Sequence, residues 1–285
     1  MINDAFLEME PGRRLHYLDR EGTGAQTFLL IHGLASTATF WKPVIRELPA
    51  GARVVALEQR GHGLSTPTPD YDNDSLVADV VEVVEKLDLS PVNLVGHSWG
   101  ADVALQVAAR RPSLVTSLAL VDGGIWDLGQ LMTWEECRET LAPPDLSRVQ
   151  VGDVVAYIRS MAQEVAPDLE ELVTAGFVVQ ADGTVRSRLA RADHLKILRS
   201  MWEHSSTGDF AQVACPTLIC LAREGPEDML QRKYEAAGAA ERMVAGSRVA
   251  WLDCGHDIPL FQPRGLAELL VANAERAAKG IPERA

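Results

Sequence analysis

The chain has 285 residues, with 27 Lys and Arg against 40 Asp and Glu, so its formal net charge is −13. That acidity argues against a partner such as the nucleic-acid backbone, which needs a basic face. A composition that is 47% hydrophobic and 24% charged excludes disordered and fibrous classes.

At about 150 residues per domain, the length fits two units or one large α/β unit carrying an insertion. Met1 to Arg14 carries Asp4, Glu8 and Glu10, so no secretory signal is expected there. No run of about 18 apolar residues exists, and no membrane partner is expected. Thr27–Ile31 (TFLLI) and Arg53–Leu57 (RVVAL) are compact apolar runs and predict buried strands. Ser75–Leu87 has apolar residues at 76, 77, 80, 81, 84 and 87, the spacing of a helix. Pro91–Val95 predicts a third strand, Ala101–Arg110 a helix ended before Pro112, and Val115–Val121 a fourth strand. Buried strands separated by helices imply a mostly parallel central sheet with helices on both faces.

After Asp122 the alternation stops. Residues 123–212 hold the amphipathic stretches Met132–Leu141, Val151–Val165, Leu169–Phe177 and Leu189–Trp202, which predict a mostly helical insertion. The core pattern resumes with Thr217–Leu221, a helix around Met229–Ala240, Arg248–Leu252 and a helix over Arg264–Ala278. The division is therefore a core of residues 1–122 and 213–285 with a helical cap of 123–212. The tail from Lys279 to Ala285 is expected to fray.

Gly96-His97-Ser98-Trp99-Gly100 is a G-x-S-x-G match lying directly between a predicted strand and a predicted helix. A sharp strand-to-helix turn needs its flanking glycines to avoid clashes, and it pushes the serine hydroxyl out at the carboxyl edge of the sheet. A helix N-terminus beneath it favours developing negative charge. Further motifs accompany it. His32-Gly33-Leu34 follows the first of these strands. Glu58-Gln59-Arg60-Gly61-His62-Gly63-Leu64-Ser65 resembles a D-x-R-G-x-G-x-S loop with Glu58 in place of Asp. Gly255-His256 precedes Pro263. Together, over about residues 25 to 275, these resemble the α/β-hydrolase fold family, of the kind with a helical cap.

A serine hydroxyl needs a base to take its proton. Of the seven histidines, His256 lies in a loop after a late strand, where the resemblance places the base, in the chain order serine, acid, histidine. His32 and His62 lie in loops whose role the resemblance makes structural. His97 adjoins Ser98, and neighbours on such a turn point apart. No histidine pair has H-x-x-x-H spacing, and neither a metal nor a cofactor is expected.

The third group orients the imidazole. The resemblance usually places it after the TLICL-type strand, but there the chain reads Arg223-Glu224-Gly225-Pro226-Glu227-Asp228, with Gly225 at the expected acid position. Asp122, ending a strand 24 residues after Ser98, is the first choice, Glu224 the second, and Glu227 or Asp228 follow. By the same resemblance the backbone N–H groups of Leu34 and Trp99 form the oxyanion hole. In the insertion, Trp126 and then Trp202 are the candidate pocket residues.

These residues point to a serine hydrolase of an apolar ester, lactone or thioester, working through an acyl-enzyme. The alternatives are a ligand-binding or receptor-like protein on the same scaffold, and a lyase or cofactor-free oxygenase. Four cysteines without C-x-x-C spacing predict reduced thiols and a cytoplasmic protein, with Cys254 exposing the enzyme to thiol reagents. Nothing in the sequence reports an oligomeric state.

Overall fold

The computed structural model describes residues 1–161, 168–244 and 246–280. Ten strands form within them: β1 (Asn3–Glu10), β2 (Arg13–Arg20), β3 (Thr27–Ile31), β4 (Arg53–Leu57), β5 (Val92–His97), β6 (Val115–Val121), β7 (Phe177–Val179), β8 (Val185–Ser187), β9 (Thr217–Ala222) and β10 (Arg248–Leu252). Eight of them make one sheet in the order β1-β2-β4-β3-β5-β6-β9-β10. From β4 to β10 the pairs are parallel, while β1 pairs β2 and β2 pairs β4 antiparallel. The apolar runs are continuous because both faces of these strands are covered. Leu29, Ile31, Val55, Leu57 and Leu94 belong to one core cluster, and Phe28, Leu30, Val54, Ala56 and Val95 to the other.

The helices divide accordingly. α1 (Lys42–Glu47) follows a short 3₁₀ turn, Ala38–Trp41, and lies on the Phe28 side. α2 (Asn73–Lys86) and α3 (Trp99–Arg110) cover the Leu29 side. Asp72 caps α2 by accepting a hydrogen bond from Ser75 N–H at 2.9 Å. The stretch between β6 and β9 contains α4 (Leu128–Leu131), α5 (Trp134–Leu141), α6 (Val151–Met161), α7 (Leu169–Thr174), α8 (Arg191–Glu203) and α9 (Ser206–Phe210). α10 (Glu227–Met243), α11 (Ile258–Phe261) and α12 (Pro263–Ala278) complete the core.

Two hairpins depart from the expectation. β1 and β2 form a hairpin turned at Pro11-Gly12, with Gly12 at φ 81°. Its outer strand is largely exposed, so charged residues hide its alternation. Within the insertion, the stretch expected to be helical through Phe177 stops at Thr174, and Phe177 instead opens the β7–β8 hairpin, paired with Ser187. The signal was Asp182-Gly183: Gly183 sits at φ 83° and the Asp182 carboxylate accepts from Thr184 N–H at 3.0 Å. The expected stretch Val151–Val165 is helical through Met161, and its residues 162–165 lie outside the described residues, as does the tail beyond residue 280.

The insertion meets the core next to the loop that carries His256. Phe40 of the 3₁₀ turn, Leu172 of α7 and Leu260 of α11 pack as one buried cluster. Ion pairs Lys42–Glu171 and Arg46–Asp168 flank it.

Candidate active site

Ser98 stands between β5 and α3 at φ 52° and ψ −125°, a strained backbone for a residue with a side chain. The neighbouring glycines are there for lack of room. A Cβ on Gly96 would lie 2.1 Å from the Gly100 carbonyl oxygen, and one on Gly100 would lie 2.4 Å from that of Ile31. The turn is therefore pressed against both its own helix and the end of β3. Ser98 N–H donates to the Val121 carbonyl at 2.9 Å, which ties the turn to the end of β6. The half-buried Ser98 hydroxyl has no hydrogen-bond partner among the described residues.

Asp122 is the next residue after β6 and is also strained, at φ 45°. Gly123 must follow it, because a Cβ there would sit 2.2 Å from the Ser98 carbonyl oxygen. The Asp122 carboxylate does not cap its own turn. Oδ2 accepts from His256 Nδ1 at 2.7 Å, and Oδ1 accepts from Ala222 N–H at 2.9 Å. Lys233 Nζ donates to both oxygens, at 2.7 and 2.8 Å, and to the Ala222 carbonyl at 3.3 Å. Burial works against this carboxylate, but the hydrogen bond and charge of His256 and the charge of Lys233 outweigh it and hold Asp122 below its ordinary value.

His256 leaves 53% of its side-chain surface open, while the rest of the ring is crowded by protein. That crowding pulls the imidazole down. The hydrogen bond and charge of Asp122, aided by Asp257 and opposed by Lys233, bring it above the usual histidine value. The Nδ1–H bond to Asp122 leaves the Nε2 lone pair open. His97 packs its ring 4.8 Å from that of His256, and its Nε2–H donates to the His256 carbonyl at 3.0 Å. His97 is buried, and burial with the neighbouring His256 charge lowers it to about 3, so its ring stays neutral. Ligand atoms of His97, His256 and Asp257 lie within 4.8 Å of one another, the one such grouping among the described residues. Within it His97 Nε2 and His256 Nδ1 are engaged, which leaves His97 Nδ1 and His256 Nε2.

The Gly33–Leu34 loop faces the serine, with a Cβ on Gly33 falling 3.0 Å from Ser98 Cβ. His32 and His62 build this loop. His32 Nδ1–H donates to the Gly33 carbonyl at 2.7 Å, and its Nε2 accepts from Gln59 N–H at 3.1 Å. His62 Nε2 accepts from Ala35 N–H at 3.2 Å while its ring stacks on Trp99. Burial lowers His62 to about 4, which keeps it an acceptor at neutral pH. With Ala35 N–H held by His62 and Ser36 N–H by the Gly33 carbonyl, the N–H groups of Leu34 and Trp99 are left without acceptors among the described residues. Glu58, the departure from the usual Asp, accepts from His16 Nδ1 at 2.9 Å, Ala38 N–H at 3.2 Å and Leu64 N–H at 2.5 Å.

The other candidates separate. Glu224 is exposed, and its backbone N–H, not its carboxylate, is engaged, with the Cys254 carbonyl. Glu227 and Asp228 lie in the exposed first turn of α10. Trp126 is half-buried against the core cluster, beside Asp122's own segment. Trp202 makes its contacts within the insertion: Nε1–H donates to the Met132 carbonyl at 2.9 Å, and the ring packs on Trp134 and under Arg199. A groove of about 1250 Å³ on the insertion, lined by Pro143, Asp145, Gln180, Arg186 and Arg191 among others, includes none of the residues singled out around Ser98. Cys254 departs from the expected reactivity: it is 4% exposed, and burial pushes its thiol up to about 12, so little reactive thiolate forms. Lys233 and the His97–His256 bond were not foreseen, and no local motif marks either.

The sheet and the serine turn define a hydrolase-type architecture. The chain belongs to the alpha/beta hydrolase fold family, whose sequence profile matches residues 26–211. A protein named as a carbamate hydrolase, RutD of Pantoea ananatis, is 32% identical over 264 residues, covering 92% of each chain. The (E)-2-((N-methylformamido)methylene)succinate hydrolase of Acinetobacter baylyi is 35% identical over 118 residues, and epoxide hydrolase 4 of Mus musculus 32% over 116. Those two alignments take in 41% and 40% of this chain and only 44% and 32% of the relatives' own lengths. Among solved structures, an esterase of Exiguobacterium antarcticum superposes with TM-score 0.74 at 20% identity, over 96% of this chain and 100% of its own. The thioesterase domain of a curacin biosynthetic pathway superposes at 0.72 with 22% identity, over 95% and 99%. Both likenesses concern the fold. No helix among the described residues is long and apolar enough to cross a membrane.

Proposed function

We propose that this protein is a serine hydrolase cleaving a carboxylic ester or lactone of an apolar small molecule, with Ser98, His256 and Asp122 as its catalytic triad. The observation that carries the reading is the 2.7 Å bond from His256 Nδ1 to Asp122, on a loop held against the strained Ser98 turn. Ser98 Oγ attacks the carbonyl carbon as His256 Nε2 takes its proton. The oxyanion receives the N–H groups of Leu34 and Trp99, a stabilisation of about 3 kcal/mol for each such donor. His256 passes the proton to the leaving alkoxide, and an acyl-serine remains. Water, deprotonated by His256, attacks that acyl group, and the acid leaves as Ser98 recovers its proton. Asp122 holds the imidazole tautomer and stabilises its cation throughout. The stretch 123–212 serves as the cap over this site, with Trp126 the first candidate for the acyl wall and Trp202 the second.

A second substrate reading, a carbamate or amide C–N bond, draws on the relative that aligns over 92% of this chain. The triad chemistry is the same, with an amine as leaving group. The test is fluorophosphonate labelling together with a panel of p-nitrophenyl esters, lactones and carbamates, run on the unmodified protein and on Ser98→Ala. Labelling and turnover lost in Ser98→Ala are expected. An unlabelled native protein sinks the reading, and turnover confined to carbamates moves it to the second substrate class.

A further inference from the structure

Lys233 is a lysine placed where charge is costly. Its side chain is 10% exposed on α10, and that of Asp122 is 1% exposed. Its three N–H donors meet three acceptors: both Asp122 oxygens and the Ala222 carbonyl. Asp122 Oδ2 is thus shared between the ammonium and His256 Nδ1–H. A buried carboxylate holding only an imidazole would stabilise the imidazolium strongly, and so hold a proton on the very group that must accept one from Ser98. A cation across the same two oxygens opposes that.

We propose that Lys233 is a positioning residue whose ammonium clamps Asp122 and weakens the carboxylate's hold on the His256 proton, so that Ser98 stays reactive at more acidic pH than an Asp–His pair alone allows. The inference rests on the triad reading above. The charged and titratable groups facing His256 are Asp122 at the end of β6, Lys233 on α10, Asp257 beside it in its own loop, and His97 at the end of β5. Asp122 and Asp257 favour the imidazolium, Lys233 opposes it, and His97 stays neutral because its own protonation lies near 3. Lys233 is therefore the cation that opposes them. Its bond to the Ala222 carbonyl also ties α10 to the end of β9, which explains how a charge on a helix is held at the triad's acid.

The test is the rate of Ser98 labelling by a fluorophosphonate between pH 5 and pH 9, a readout that needs no knowledge of the natural substrate. The variants are Lys233→Gln, which keeps a hydrogen-bond donor without the charge, Lys233→Met and Lys233→Arg. Thermal melting identifies the folded ones. In Gln and Met the acid limb moves to higher pH, and the ratio of the rate at pH 6 to that at pH 8 falls about fivefold. Arg keeps the native ratio. If Met does not fold, Gln decides alone. A Gln variant whose ratio stays within about twofold of native, or whose limb moves to lower pH, overturns the inference, as does an Arg variant that behaves like Gln. An unlabelled native protein would instead overturn the triad reading and this inference with it.

Discussion

Two carboxylates competed for one role at the level of single residues, and their surroundings separate them. Asp122 is buried among three donors, whereas Glu224 is exposed with no hydrogen bond from its carboxylate among the described residues. On the proposed triad, Asp122→Asn removes the charge that stabilises the imidazolium and presents a donor to His256 Nδ1–H, so kcat should fall by about 10⁴-fold. Glu224→Gln should stay within about twofold of native, as an exposed substitution does. Steady-state kinetics on an ester that the native protein turns over checks both, and near-native turnover by Asp122→Asn would return the acid's role to another residue. The sequence ranks Asp122 ahead of Glu224 by its place after β6, but both residues follow apolar strands, and the partner that Asp122 meets lies 134 positions further along the chain.

Glycine acts differently from element to element. Gly96 closes the strand-to-helix turn, and Gly96→Ala drives a methyl to 2.1 Å from the Gly100 carbonyl. Relieving that clash requires backbone movement, and we expect a stability loss of about 3 kcal/mol. Gly238 stands inside α10, where a Cβ would meet nothing nearer than the end of Arg242 at 3.4 Å. Gly238→Ala should therefore stabilise the protein by about 0.5–1 kcal/mol through helix propensity. Urea denaturation of both variants tests the pair, and opposite signs are the expected result. The elements themselves were legible where their pattern is local. β3, β4, β6 and β10 cover the residues expected from their apolar runs. The β7–β8 hairpin was not foreseen, because three-residue strands are too short for alternation to show and the Asp182-Gly183 turn sits among helical patterns.

Across the whole molecule, three buried neutral histidines couple stability to pH. Burial lowers His32, His62 and His97, the second to about 4 and the third to about 3. The unfolded chain takes up protons at these groups below about pH 6.5 while the folded chain does not, so stability is lost as pH falls through that window. Asp102 opposes them: burial pushes its carboxyl up to about 7, so it is stabilising for the folded state to bind that proton as pH falls. His194 is lowered in the same way, while His16, His256 and Asp257 are raised and side with Asp102; the wide displacements of His62 and His97 outweigh these, so the urea midpoint should be lower at pH 5 than at pH 7. His62→Gln, which keeps an acceptor for Ala35 N–H, should lose less of its stability between the two. An unchanged midpoint in the native protein would mean that the three rings are not held neutral.

The acidic chain of 285 residues determined by itself an α/β fold with a mostly parallel sheet and the serine turn between β5 and α3. It could do so because apolar runs, helical periodicity and the G-x-S-x-G pattern are local and leave their mark in consecutive residues. The tertiary structure decided which carboxylate His256 meets, that Lys233 shares it, that His97 holds the His256 loop, and that Cys254 is shielded. Those pairings join residues far apart along the chain, and the burial that gives them strength exists only once β6, β9, α10 and the His256 loop have come together.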